Sequence, residues 1–202
     1  RILSSAASDV YKRQNINKKG NFLERLIFDE ILSTFLINSK IRKTIKKFKK
    51  EKKIFDNDFS NNIKKRLNYE LTNDQTNALN EINKDLKSEE KMFRLLQGDV
   101  GSGKTIVALI SCLNVVNSGY QVAFMAPTEI LAYQHYKLAQ SLIKDKMKIG
   151  FLTSKTDYSE RKKIINDLET SKLNILFGTH SVFQEKISYK KLGLIVIDEQ
   201  HK

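Results

Sequence analysis

The chain has 202 residues, 40% of them hydrophobic, and a formal net charge of +13. That length allows one full domain plus an appendage. No run of 18 apolar residues is present to span a membrane, and the lone Cys112 excludes an internal disulfide framework. The charge is uneven: residues 1–67 hold 18 Lys/Arg against 7 Asp/Glu, whereas residues 68–202 hold 18 against 16.

Residues 1–14 look non-native, of the kind left at the edge of an assembled sequence, and are set apart from the fold. Residues 15–67 read as a basic α-helical linker. Leu23, Leu26, Ile27, Ile31, Leu32 and Phe35 recur at helical spacing, so Phe22 to Ile37 is expected as an amphipathic helix. Lys40 to Lys53 follows with nine basic residues and one acid. Such a run favours a polyanion through phosphate neutralisation and counterion release; a solvated lysine-rich helix face is the alternative. Asp56 to Asn62 is a polar break.

Residues 68–202 read as a second unit. Thr72-Asn73-Asp74-Gln75 is a capping box ahead of a helix carrying Leu79, Ile82 and Leu86. Met92 to Leu96 is a short apolar run, expected as a buried parallel strand. Gly98-Asp99-Val100-Gly101-Ser102-Gly103-Lys104-Thr105 then forms a complete G-x-x-x-x-G-K-[ST] phosphate loop. Its backbone N–H groups would wrap the phosphate tail of a nucleoside triphosphate. Lys104 would reach the β- and γ-phosphates, and Thr105 would hold Mg²⁺. Ile106 to Val116 is apolar on nearly every face and reads as a buried helix stopped by Gly119. Cys112 lies within it, as a small core residue suited to a reducing cytoplasm.

Strands and helices then alternate. Strands are expected at Gln121 to Met125, Lys148 to Leu152, Asn174 to Phe177 and Leu192 to Ile197. Helices are expected at Glu129 to Lys144 and Ser159 to Leu168. This order argues for an α/β fold, a parallel sheet with helices on both faces. Asp198 and Glu199 emerge from the last strand at its C-terminal end, where ligands bind in open α/β sheets. Asp198 would bind Mg²⁺, and Glu199 would orient or deprotonate the attacking water. Three scattered histidines and one cysteine offer no other metal site.

Four segments carry a family resemblance: Leu95 to Thr105, Ala126-Pro127-Thr128-Glu129-Ile130-Leu131-Ala132, Gly178-Thr179-His180, and Asp198-Glu199-Gln200-His201. Together they resemble the superfamily 2 helicases, and among these the bacterial RecG branch-migration helicases. The likeness runs from about Leu71 to the last residue, with a weaker likeness over Arg25 to Leu32. Gln200 stands where the transcription-repair coupling factors usually carry glutamate, which favours the RecG type. Ser154 stands where the family often has glycine, and Lys202 where arginine is commoner.

The resemblance implies a P-loop NTPase (RecA-like) fold for residues 68–202, the first of two motor domains and incomplete at its C-terminus. It implies that Gln75 recognises adenine, although the capping box alone also explains a glutamine there. It further implies that Pro127, Thr128, Glu129, Gly178, Thr179 and His180 line a nucleic-acid path. Gln200 and His201 would couple the ATP site to that path. The whole enzyme would be bacterial and cytoplasmic, with no membrane partner, remodelling branched double-stranded DNA at replication forks and Holliday junctions. Its second RecA-like domain, with an arginine finger, and its wedge domain would lie outside these 202 residues. The chain alone would bind ATP weakly and turn it over negligibly. Three alternatives stay open: a coupling-factor motor, a nucleotide-binding switch that never translocates, and an inert binding fragment.

Overall fold

Helical spacing in the first third produces one long helix, α1 (Ile16–Lys47), of 32 residues. It outruns the expected Phe22 to Ile37 at both ends; beyond Ile37 the lysines and Arg42 of the basic run are good helix formers that continue it. Its apolar side chains are exposed: Leu26, Ile31 and Phe35 are each half exposed or more. The computed structural model describes residues 16–47, 49–55, 63, 65–143, 147–184 and 187–198. It divides into two units, Arg1–Lys49 and Lys50–Lys202; α1 belongs to the first, and all that follows concerns the second. No helix among the described residues is long and apolar enough to cross a membrane.

The second unit begins with the end of the basic run, and part of that run is not solvated. Lys50 Nζ donates to the carbonyls of Asp85 (3.0 Å) and Leu86 (2.8 Å), at the last turn of α2 (Asn73–Lys87). A cation there satisfies orphan carbonyls and complements the helix dipole. Lys53 is 5% exposed, its Nζ 4.9 Å from the centre of the Tyr120 ring. The Tyr120 hydroxyl donates to Glu51 (2.6 Å), and Ser118 Oγ donates to the Ile54 carbonyl (2.7 Å). Lys50 and Lys53 are therefore engaged in intramolecular contacts rather than lying on a solvated helix face.

Burial lowers the Lys53 pKa from 10.5 to about 8, with Lys50 adding repulsion and Glu51 partly offsetting it. The unfolded chain thus holds this proton more tightly than the folded one. Between pH 8 and 10.5 the unfolded state binds more protons, so stability rises with pH across that window. The unfolding midpoint is expected to climb from pH 8 to 10.5 by an increment that Lys53→Met removes, as read by circular dichroism melts at each pH.

Four strands make one parallel sheet: β1 (Gln121–Met125), β2 (Ile149–Leu152), β3 (Ile175–Gly178) and β4 (Leu192–Ile197), in the order β2-β3-β1-β4. Alternating residues divide between two cores. Val122, Phe124, Ile175, Phe177 and Leu194 face the buried helix α3 (Lys104–Asn117) and the Ala139 and Leu142 positions of α4 (Glu129–Leu142). Leu176 and Leu152 pack with Ile164 and Leu168 of α5 (Tyr158–Glu169) on the opposite face. Helices thus cover both faces, as the alternation of elements predicts. Cys112 is a free, buried thiol within α3, its pKa pushed up by desolvation.

One expected strand is absent. Residues 92–97 form no strand. Nor is the run buried, with Phe93 60% and Leu95 69% exposed: a strand needs a neighbour whose N–H and C=O groups it can pair, and without one apolar composition alone does not bury it. Among the described residues only β1 pairs with β4, which therefore lies at one edge of the four-stranded sheet. Ile195 and Ile197 on β4 remain nearly half exposed.

Gln121 opens β1 and is 2% exposed. Its Nε2 donates to the carbonyls of Leu168 (2.9 Å) and Leu173 (2.8 Å), and its Oε1 accepts from the Lys191 N–H (2.9 Å). One amide thus ties three connections at the N-terminal edge of the sheet. Gln121→Leu fits the space but strands buried polar groups, so it should cost about 2–3 kcal/mol in urea melts.

Candidate functional site

The phosphate loop joins the extended segment to α3. Gly101 (φ +82°) and Gly103 (φ +79°) both occupy left-handed backbone that other residues avoid. Gly103 is also the N-cap of α3, and a Cβ there would overlap the Gln75 amide nitrogen. Lys104 Nζ donates to the Gly98 and Asp99 carbonyls, both at 2.7 Å. The ammonium is thereby held across the mouth of the loop with one of its three protons left over. Thr105 is the second residue of α3, whose free N–H groups and dipole favour an anion at that end. Val100 at the tip is fully exposed.

Gln75 does two jobs that follow from its place in the capping box. Its N–H donates to Thr72 Oγ1 (3.3 Å), and its Oε1 accepts from the Thr72 N–H (3.0 Å). Its Nε2 donates to the Ser102 carbonyl (2.9 Å), so the cap of α2 is fastened to the phosphate loop. One amide proton and one carbonyl lone pair remain for an adenine edge.

The other segments gather at the C-terminal edge of the sheet. α3 packs on β1 and β4 and joins β1 through a three-residue turn, so its N-terminus lies at the edge where the strands end. Asp198 follows β4 directly. Its N–H donates to the Met125 carbonyl (2.9 Å), and its Oδ2 lies 2.6 Å from His135 Nε2. Pro127 and Thr128 follow β1, and Thr128 caps α4 by accepting from the Leu131 N–H (3.3 Å). That cap uses the hydroxyl oxygen as acceptor and leaves its proton to donate to a phosphate.

Glu129 is committed elsewhere. Its carboxylate accepts from Lys155 Nζ (2.8 Å) and Ser154 Oγ (3.3 Å), in the turn after β2. The Lys155 hydrogen bond, ahead of all other causes, holds its carboxyl below the usual range. Glu129 thereby ties the start of α4 to the turn after β2. Ser154 fills the family's glycine position without strain, since it shows no positive φ.

Gly178 ends β3, and any Cβ there would overlap the Leu152 carbonyl and come within 2.9 Å of Val182. Thr179 and the exposed His180 then enter a 3₁₀ turn (His180–Phe183), anchored by Ser181 Oγ donating to the buried Leu152 carbonyl (2.8 Å). Glu199, Gln200 and His201 lie outside the described residues. Among the described residues no cluster of three or more His, Cys, Asp or Glu forms a metal centre.

His135 escapes the motif reading. It is 5% exposed on the face of α4 that also carries Ala132, Ala139 and Leu142. The signal was available, since a histidine on an apolar helical stripe must find a polar partner. Its partner is 63 residues away and could not be read from spacing.

A nucleotide-type loop, an acidic strand end and three strand-following turns thus meet on one edge of a parallel sheet, the arrangement of a P-loop nucleotide-binding domain. Residues 72–202 match the DEAD/DEAH box helicase family, and the chain belongs to that family. The domain is RecG-like. The ATP-dependent DNA helicase RecG of Aquifex aeolicus is 43% identical over 180 residues, a match that covers 89% of this chain and 23% of the relative. The RecG of Thermotoga maritima is 42% identical over the same coverage. The RECG1 homolog of Arabidopsis thaliana is 38% identical over 222 aligned positions, 99% of this chain and 23% of the relative. A solved structure of RecG bound to a three-way DNA junction superposes with a TM-score of 0.80 at 42% identity, covering 89% of this chain and 25% of that one. The UvsW helicase of bacteriophage T4 shares the fold, with a TM-score of 0.52 at 18% identity. The chain thus spans about a quarter of the length of the relatives it matches.

Proposed function

We propose that this chain is the ATP-binding half of a RecG-type motor that uses ATP to remodel branched double-stranded DNA in recombination and repair. Residues 15–67 act as the helical linker and 68–202 as the first RecA-like domain, with Lys50 to Phe55 docked on it. The observation that carries this reading is the shared edge: α3's N-terminus, Asp198 and the turns after β1, β2 and β3 all lie at the C-terminal ends of the strands. Turns after the strands lie at that edge in any parallel α/β domain, so what favours a motor over a switch is their make-up, Pro127-Thr128 after β1 and Gly178-Thr179-His180 at the end of β3.

In this reading Gly98 to Thr105 cradle the ATP phosphates, Lys104 carries its spare proton to them, and Gln75 reads adenine. The residues fit Mg²⁺: the Thr105 hydroxyl and the partly exposed Asp198 carboxylate are hard oxygen donors of the kind it takes, directly or through water. When bound, Mg²⁺ would neutralise charge on the phosphates. Glu199 orients or deprotonates the attacking water. Thr128 and Thr179 donate to the DNA backbone, Pro127, Gly178 and His180 shape the path, Glu129 braces the turn beside it, and Gln200 and His201 couple it to hydrolysis. Phosphate contacts of this kind hold register without reading sequence. The arginine finger, the second clamp and the wedge are supplied from outside these 202 residues. A cytoplasmic location belongs to this reading, in keeping with the free thiol of Cys112.

The test is ATP-dependent unwinding of a labelled three-way junction by the intact protein. Strand release that needs ATP and is lost in Glu199→Gln supports the motor. ATP binding without any strand release, in the presence of all domains, would leave the switch.

A further inference from the structure

His135 and Asp198 form the shortest link between the helix that carries the nucleic-acid segment and the carboxylate assigned to the metal. His135 lies in α4 (Glu129–Leu142), seven residues beyond the N-cap Thr128. Its side chain is 7% exposed and that of Asp198 23% exposed, with 2.6 Å between Nε2 and Oδ2. An ionised carboxylate only accepts hydrogen bonds, so Nε2 carries the proton and donates. The ring is itself fixed, since its centre lies 5.1 Å from that of Phe124, which stacks on Phe177 at 5.2 Å. The main chain of Asp198 is pinned as well, through its N–H to Met125.

Three constraints therefore act on one aspartate: β1 holds its backbone, His135 holds one carboxylate oxygen, and the aromatic core holds His135. The other oxygen is left for the metal. A carboxylate on a free rotor must be ordered each time it engages a cation or its water. One that is already hydrogen-bonded does not pay that entropy. The same bond makes α4 a rigid spacer of about two turns, roughly 10 Å, between Thr128 and Asp198.

We propose that His135 is a positioning residue for the ATP site, orienting Asp198 toward Mg²⁺ through its Nε2–H. This rests on the assignment of Asp198 to the metal. Loss of a comparable outer hydrogen bond lowers metal affinity about 10–100-fold.

The experiment measures binding of a fluorescent ADP to the intact protein, with Mg²⁺ and in EDTA, for wild type and three variants. Asp198→Asn should remove the gain in affinity that Mg²⁺ brings; if it does not, the metal assignment fails. His135→Leu keeps bulk and removes the donor, and should raise the Mg²⁺ concentration for half-maximal effect by about tenfold or more while binding in EDTA stays within twofold. His135→Gln keeps an N–H donor of similar reach and should recover most of the loss. If Asp198→Asn behaves as stated but His135→Leu responds to Mg²⁺ like wild type, the positioning role is overturned and the metal assignment stands. A His135→Leu loss that is equal in EDTA, or that His135→Gln does not recover, makes the residue merely structural and also overturns it. Should His135→Leu not fold, His135→Asn, whose amide is too short to reach Asp198, takes its place with the same expectations.

Discussion

Replacing Lys104 by alanine is expected to lower ATP turnover of the intact protein by at least about a hundredfold, the scale for losing one preorganised donor at a developing charge. The effect should exceed that of an ordinary surface lysine for two reasons. Lys104 is the first residue of α3, so its ammonium adds to the positive end of the helix. It also spans the loop, bonded to Gly98 and Asp99, so its removal loosens the cradle as well as the charge. The loss should appear in kcat/KM as well as in kcat. Steady-state ATP hydrolysis with saturating DNA measures it, and turnover within about threefold of wild type would remove Lys104 from the proposed role.

Gly178→Ala should be the most damaging single-methyl change in the chain. Its cost is not one of backbone dihedral, since Gly178 has no positive φ. The added Cβ would overlap a backbone carbonyl, that of Leu152, which cannot swing aside like a side chain. Gly178 is in register with Leu152 across β2–β3 and with Met125 across β1–β3, so relief must open the sheet on one side. The same Leu152 carbonyl accepts from Ser181, which fixes the turn carrying Thr179 and His180. A destabilisation above about 4 kcal/mol is expected, enough to deplete folded protein. Urea melts of the second unit's signal measure it. A variant that melts like wild type would show that the close approach at Gly178 is readily relaxed.

Much of the site was legible because it is local. Gly98 to Thr105 is contiguous, and a strand-end carboxylate at Asp198 follows from an unbroken apolar strand. The capping box at Thr72 and Gln75 is legible for the same reason, and the structure has both of its hydrogen bonds. That the strands run parallel follows from alternation; the limits of α3, α4 and α5 moved by only one or two residues, whereas α1 runs six residues further at its start and ten at its end. α3 starts at Lys104 rather than Ile106 because the last loop residues already form its first turn behind the Gly103 cap.

What was not legible depends on distance along the chain or on a neighbour. Met92 to Leu96 has the composition of a strand, but composition says nothing about whether a ladder partner is adjacent. The basic run reads as one stretch, yet Lys50 and Lys53 turn inward because the end of α2 and Tyr120 lie where they can be met. The bond from Lys155 to Glu129 spans 26 residues, a separation no local motif reports. His135 needed Asp198, and no periodicity relates a helix position to a strand end.

The most direct measurement of the central claim is ATP hydrolysis by the intact protein, with and without a three-way DNA junction, at fixed Mg²⁺. A motor with its ATP site and DNA path on one sheet edge should show turnover raised about tenfold or more by the junction, and more by the junction than by linear duplex of equal length. Hydrolysis that is vigorous but indifferent to DNA of either form would contradict the account.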